Sequence, residues 1–253
     1  MMENLSVNSS SSPELQARFH DVGENLKSIR FNIAEAAARS GRSAEDIILM
    51  AVTKTVPVEV INHALSLGVD YIGENRVQEL NSKYDSLVRD GKHIHLIGHL
   101  QTNKVKQIVG RVEMIQSVDS VKVAQAIASR SRELGLVTDV LVEVNIGNEE
   151  SKSGVSPDAA YELICQISEF DGINVQGLMA IPPADCEIAQ TIKYFDEIYK
   201  LFIDIGSKNT HNNSYTMKHL SMGMSADYAE AIRHGSTMVR VGTALFGRRN
   251  YNK

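Results

Sequence analysis

The chain has 253 residues, 43% of them hydrophobic and 23% charged, which is enough to bury one sizeable core and ordinary for a water-borne domain. Its net charge of −5 supplies no global field for nucleic acid or anionic membranes, and no apolar run reaches the about 18 residues of a membrane span. Cys165 and Cys186 make no disulfide framework, no Cys/His cluster has zinc spacing, and the N-terminus lacks a signal-peptide core, so the expected compartment is the reducing cytoplasm.

Residues 1–13, including the polar SVNSSSSP (6–13), read as a disordered leader, and 14–253 as one domain. Leu15, Phe19, Val22, Leu26, Ile29 and Ile33 alternate spacings of four and three, so a long amphipathic helix comes first. SGRS (40–43) ends it. A strand–helix rhythm follows. IILMAVTK (47–54) reads as a buried strand, with a helix over 57–67 and Pro57 in its first turn. VDYIGE (69–74) and a helix over 75–89 come next, then HIHLIG (93–98) and a helix over 102–109. EMIQSV (113–118) precedes a helix over 120–134, and DVLVEVNI (139–146) one over 157–170. NVQGLMAI (174–181) precedes a helix over 188–205, and KHLSMGMS (218–225) one over 226–234. TMVRVGTALFG (237–247) is the eighth strand with a tail. Eight such units in this length predict a single (β/α)8 barrel, a TIM barrel with an extra N-terminal helix. A doubly wound open sheet competes, but no G-x-G-x-x-G fingerprint follows the first strand.

In such barrels chemistry gathers at the C-terminal ends of the strands. The first strand ends in Lys54. A lysine facing an apolar mouth is partly desolvated, which lowers its pKa and frees the amine that attacks carbonyls. The alternative is a lysine that snorkels to the rim. After the seventh strand, Ser221 and Gly223 open a loop, and a helix beginning near Ser225 offers backbone N–H groups to an anion. Gly242 lets backbone approach such an anion and Thr243 adds a hydroxyl, unless these are simply turn residues. Arg240 lies two positions before Gly242, on the same side of a strand, and needs an acceptor such as a pyridine nitrogen or a carboxylate. A Schiff-base lysine, a phosphate cradle and a partner for a ring nitrogen are what a pyridoxal phosphate site requires. Arginine as that partner disfavours the ring proton and leaves a weaker electron sink.

With these residues assembled, the sequence resembles the pyridoxal phosphate homeostasis protein family over about residues 20–251. The resemblance rests on AVTKTVP (51–57), GENRVQE (73–79), HLIGHLQTNK (95–104), VNIGNEESKSG (144–154), GLMAIPP (177–183), LSMGMSADYAEAI (220–232) and GSTMVRVGTALFGRRNY (235–251), in that order. It implies a barrel like the N-terminal domain of alanine racemase that holds pyridoxal 5′-phosphate (PLP) as a Schiff base on Lys54. The family's cofactor-side asparagine falls on Asn75. Its phosphate positions fall on Ser221, Gly242 and Thr243, with backbone near Met222 and Gly223, and its ring-nitrogen arginine on Arg240. Members are expected to buffer PLP and deliver it to apo PLP-dependent enzymes, with no established turnover. Lys152 matches a lysine proposed for cofactor exchange.

A racemase of the alanine racemase type is the main alternative. It needs a second base, which in those enzymes is a tyrosine from a C-terminal domain. The chain stops ten residues after Thr243, and Tyr228 and Tyr251 offer no evident route to the opposite face. A carrier and a monomer are therefore expected. A cofactor-free Schiff-base aldolase ranks lower, because catalytic lysines of common aldolase barrels lie on later strands. Glu74 and Glu143 are expected to satisfy buried partners or line the mouth rather than act as paired carboxylates, and QTNK (101–104) to cap its helix. Lys104, Lys106 and Arg111 read as a solvated basic face, and His99 is left without a role.

Overall fold

The computed structural model describes residues 12–149, 152–184, 186–208 and 215–248. Most of the expected leader and the C-terminal tail with Tyr251 lie outside the described residues. The Ser12 hydroxyl accepts the amide of Leu15, Pro13 fills the first turn, and helix α1 runs Pro13–Arg39. Its buried face, Val22, Leu26, Ile29, Ile33, Ala36 and Ala37, keeps the spacing seen in the sequence.

Then β1 (Ile48–Val52) and α2 (Val58–Ser66), β2 (Tyr71–Glu74) and α3 (Val77–Lys83), and β3 (His93–Leu96) and α4 (Val105–Ile108) alternate. After them come β4 (Met114–Val118) and α5 (Val121–Glu133), β5 (Thr138–Val144) and α6 (Pro157–Ser168), and β6 (Ile173–Ala180) and α7 (Ile188–Ser207). Last are β7 (Tyr215–Met224) and α8 (Tyr228–Arg233), then β8 (Met238–Val241) and α9 (Thr243–Phe246). Each strand pairs in parallel with the next, and β8 closes on β1 with Met50 opposite Arg240. The barrel is thus a TIM barrel, with α1 packed against α2, α8 and α9.

The structure corrects three local expectations. The helix expected over 102–109 begins as a 3-10 turn (Thr102–Lys104), and Gln101 gives it no side-chain cap. The helix expected near Ser225 starts at Tyr228, where Asp227 turns its carboxylate back to the Met224 amide at 2.6 Å. The eighth strand stops at Val241, and the supposed tail coils into α9.

Alternation along the strands sorts the side chains. Outward Val, Ile and Leu join the helices in one continuous core, where each fully buried side chain contributes about 1.5–3 kcal/mol. Inside the barrel, Met50, Val52, Ile97 and Met238 form one apolar cluster, and Met114, Leu141 and Met179 another. Buried polar residues also stand inside: His95, Gln116, Ser221 and Arg240.

Candidate functional site at the barrel mouth

Lys54 lies two residues past β1, half-buried, and continues by count the inward phase of Met50 and Val52. Thr53 anchors the chain just before it. Its amide donates to the Gly73 carbonyl at 3.0 Å and its Oγ1 to Glu74 Oε1 at 2.8 Å. Glu74 also accepts Lys83 Nζ at 3.0 Å. Burial holds the Glu74 carboxyl above its ordinary pKa despite that ammonium. Glu74 is therefore a buried group with partners, as expected.

Asn75 follows β2 on the strand beside β1. Its Oδ1 is buried and has no hydrogen-bond partner among the described residues. Gly98 sits against it so closely that a Cβ there would lie 2.1 Å from the Asn75 carbonyl oxygen. Only a glycine lets the chain leaving β3 pass Asn75 at that distance.

Arg240 is 3% exposed near the end of β8. Its guanidinium donates to Ser221 Oγ at 2.7 Å and to the Ala180 carbonyl at 2.9 Å. Ser221 Oγ donates on to Gln116 Oε1 at 2.7 Å, and Gln116 Nε2 lies 2.9 Å from His95 Nδ1. Burial lowers Arg240 to about 10, while Glu143 and Asp227 act to raise it. Burial also lifts Glu143 to about 7, with Asp119 adding to the rise and Arg240 opposing it. Glu143 Oε2 has no hydrogen-bond partner among the described residues.

The structure thus turns the Ser221 hydroxyl inward, onto Arg240 and Gln116. The register between β7 and β8 slips between Ser221 and Met224, where the chain bulges. Met222 is buried there, and its carbonyl accepts Ser236 Oγ at 2.8 Å. Gly223 has φ 90° and leaves no room for a side chain, since a Cβ would meet Ala231 Cβ at 2.4 Å. Beyond the bulge, Ser225 Oγ accepts the amides of Gly242 and Ala244, both at 3.1 Å. Thr243 is exposed beside them, and the Cα of Gly242 faces Val52. Ser225, Gly242 and Thr243 therefore form one loop cluster next to the end of β1. In sequence Ser225 marks only the approach to a helix; its role as an acceptor depends on the bulge. Gln116 carried no sequence signal, because its partners are far away in the chain, and for Lys83 the sequence offers only an ordinary i,i+4 pair with Glu79.

Lys152 pairs with Glu149 and reaches the Pro182 carbonyl at 3.5 Å. His99 Nδ1 lies 3.1 Å from Ser153 Oγ and 3.3 Å from Asp119 Oδ2. Arg111 stacks with Arg89 on Tyr84 and, with Gly110 and Glu113, belongs to the opposite end of the barrel. Tyr228 is buried, and its hydroxyl accepts Asn32 Nδ2 at 3.0 Å. No described helix is long and apolar enough to cross a membrane.

Residues 25–250 match the model of the family described as alanine racemase, N-terminal domain. A pyridoxal phosphate homeostasis protein of Aquifex aeolicus is 40% identical over 228 residues, covering 90% of this chain and 98% of that protein. PipY of Synechococcus elongatus, solved without PLP, superposes with a TM-score of 0.79 at 30% identity, over 89% of this chain and all of that one. The same protein with PLP bound superposes at 0.77 and 29%. An alanine racemase of Clostridium difficile shares the fold at a TM-score of 0.70 and 20% identity, over 92% of this chain and 61% of that one. A barrel with a mouth lysine, an inward arginine and relatives matched along almost their whole length leads to one conclusion: the chain belongs to the alanine racemase N-terminal domain family and, within it, to the pyridoxal phosphate homeostasis proteins.

Proposed function

We propose that this protein binds PLP at the barrel mouth and buffers it for delivery to apo enzymes, with Lys54 as the covalent tether. The observation that carries the reading is Arg240, a buried guanidinium at the strand directly beside β1 whose hydrogen bonds go to a hydroxyl and a carbonyl. The donor set around it fits the cofactor. The Ser225 hydroxyl accepts the amides of Gly242 and Ala244, which leaves its own proton as a neutral donor for a phosphate. Asn75 Oδ1 is a buried acceptor still without a partner among the described residues.

Bound PLP would supply an aldehyde and a conjugated ring that can take up electrons. Lys54 would hold it through its amine, and Asn75 would lie beside it. Gly223, Ser225, Gly242 and Thr243 would receive the phosphate, with Ser221 and Met222 as support beneath. Arg240, permanently charged, would face the ring nitrogen and oppose its protonation, which suits storage better than transamination. The racemase alternative is not favoured. Relatives matched over nearly their whole length carry the homeostasis name. The Tyr228 hydroxyl accepts Asn32 Nδ2 of α1.

Cytoplasmic location and a monomeric state complete the proposal, the former supported by Cys165 and Cys186 being free thiols. Residues 14–253 are taken as one PLP-binding unit, and Lys152 as a candidate for cofactor exchange. Borohydride reduction of the PLP-treated protein tests the tether. The wild-type chain should retain the label and Lys54→Ala should lose it; equal labelling would overturn the assignment. Delivery is read by reactivation of an apo acceptor enzyme beyond a free-PLP control, and no gain over that control would refute it. Light scattering reports the oligomeric state.

A further inference from the structure

The backbone on both sides of Lys54 is tied to one ionic cluster. Lys83, the last residue of α3, donates its ammonium to the Thr53 carbonyl at 2.9 Å, to Glu74 Oε1 at 3.0 Å and to Glu79 Oε1 at 2.6 Å. Glu79, one turn earlier on the same helix face, accepts the amide of Thr55. The carbonyl before Lys54 and the amide after it therefore end on the same Lys83–Glu79 pair.

The turn being held is an unfavourable one. Thr55 has φ 62°, in the left-handed region that β-branched residues avoid. Such a conformation persists only where its surroundings over-determine it. Here they do so from a rigid helix and with ionised partners. Lys83 is only 13% exposed and Glu79 19%, so solvent screens the pair little. Burial alone would raise Glu79, but Lys83 and the Thr55 amide outweigh it and keep the carboxyl below its ordinary pKa.

We infer that Lys83 is a positioning residue for Lys54: with Glu79 it holds the strained turn Thr53–Thr55 so that the Lys54 amine stands ready before the cofactor arrives. The inference rests on the reading of Lys54 as tether. Its advantage is preorganisation, since a nucleophile already in place loses little freedom when its amine adds to an aldehyde and water leaves.

The test uses the full chain and PLP, with capture followed by visible absorbance and by borohydride labelling. Lys83→Met should slow capture about tenfold while the label still ends on Lys54. Adding Thr55→Gly to that variant should restore much of the rate, because glycine adopts φ 62° without a clamp. A purely structural role for Lys83 would not be rescued in this way. Parental capture by Lys83→Met, or no recovery in the double variant, overturns the inference. Should Lys83→Met not fold, Glu79→Ala removes the acceptor of the Thr55 amide from a half-buried position. It should also slow capture, and a parental rate would again refute the proposal. Lys54→Ala separates the two readings. If it still labels, the tether itself is wrong; if it does not while the Lys83 and Glu79 variants capture normally, only the clamp is wrong.

Discussion

A guanidinium taken out of water must find acceptors inside the protein, and Arg240 finds them at the head of a directed chain. Arg240 donates to Ser221, Ser221 to Gln116, and Gln116 Nε2 to His95 Nδ1. The direction is forced. Ser221 has one proton and spends it on Gln116 Oε1, which leaves the Gln116 amide nitrogen to donate. His95 must then present an unprotonated Nδ1, and burial keeps it neutral by lowering its pKa to about 3. Gln116 is the middle link, fully buried between the sulfurs of Met50 and Met238. Gln116→Leu keeps the volume and breaks the chain at two points. It should cost about 1–3 kcal/mol, because Ser221 loses an acceptor and His95 loses a donor. Chemical denaturation reads this as a lower midpoint with an unchanged slope. An unchanged midpoint would show that the chain is not a structural support for Arg240.

At the level of elements, the site depends on where strands end and how closely they pass. Gly98 after β3 lies on the Asn75 backbone after β2. Gly98→Ala should therefore push Asn75 from its place, at about 1–3 kcal/mol of stability, and weaken PLP retention in the same variant. Thermal melts with and without PLP check both, and a variant that melts and retains PLP like the parent contradicts the close approach. Strand existence was legible in the sequence, since short apolar runs such as IILMAV and HIHLI alternate with amphipathic stretches. The four-residue α9 was not, because TALF after a glycine has the same apolar look as a strand. The acceptor role of Ser225 toward Gly242 and Ala244 was hidden for a related reason. Counting by twos carries a strand's phase only as far as the first bulge, and β7 bulges between Ser221 and Met224. Thr55 and its clamp were hidden too, since Lys83 reaches Thr53 across 30 positions. The mouth positions of Lys54, Asn75 and Arg240 needed only the ends of the strands.

For the whole molecule, the buried titratable groups set the dependence of stability on pH, and they pull in opposite directions. His95 has a folded pKa of about 3 against an ordinary 6.5. Between those values the unfolded chain binds the extra proton, so stability falls as pH falls, by up to about 1.4 kcal/mol per pH unit. His219, lowered to about 4 by burial first and then by Lys218, acts in the same sense. Glu143 is the reverse case. Its folded pKa of about 7 exceeds the ordinary 4.5, so the folded chain holds the extra proton and stability falls as pH rises through that window. Glu74 and Asp227, both raised chiefly by burial, add to this second tendency. From pH 4.5 to 6.5 Glu143 opposes the two histidines only in part, so stability should still fall as pH falls, but less steeply than the histidines alone would give. Below pH 4.5 Glu143 is protonated in both states, the histidines act with less opposition, and stability should drop steeply toward pH 3. Denaturant midpoints measured across pH 3 to 8 test the shape. His95→Gln should soften the acid limb by about one proton's worth of slope. Glu143→Gln should instead steepen the region between pH 4.5 and 6.5, so that stability rises with pH faster there. A profile unchanged by either substitution would mean that neither group titrates differently in the folded barrel, and that the mouth is wetter than its burial indicates.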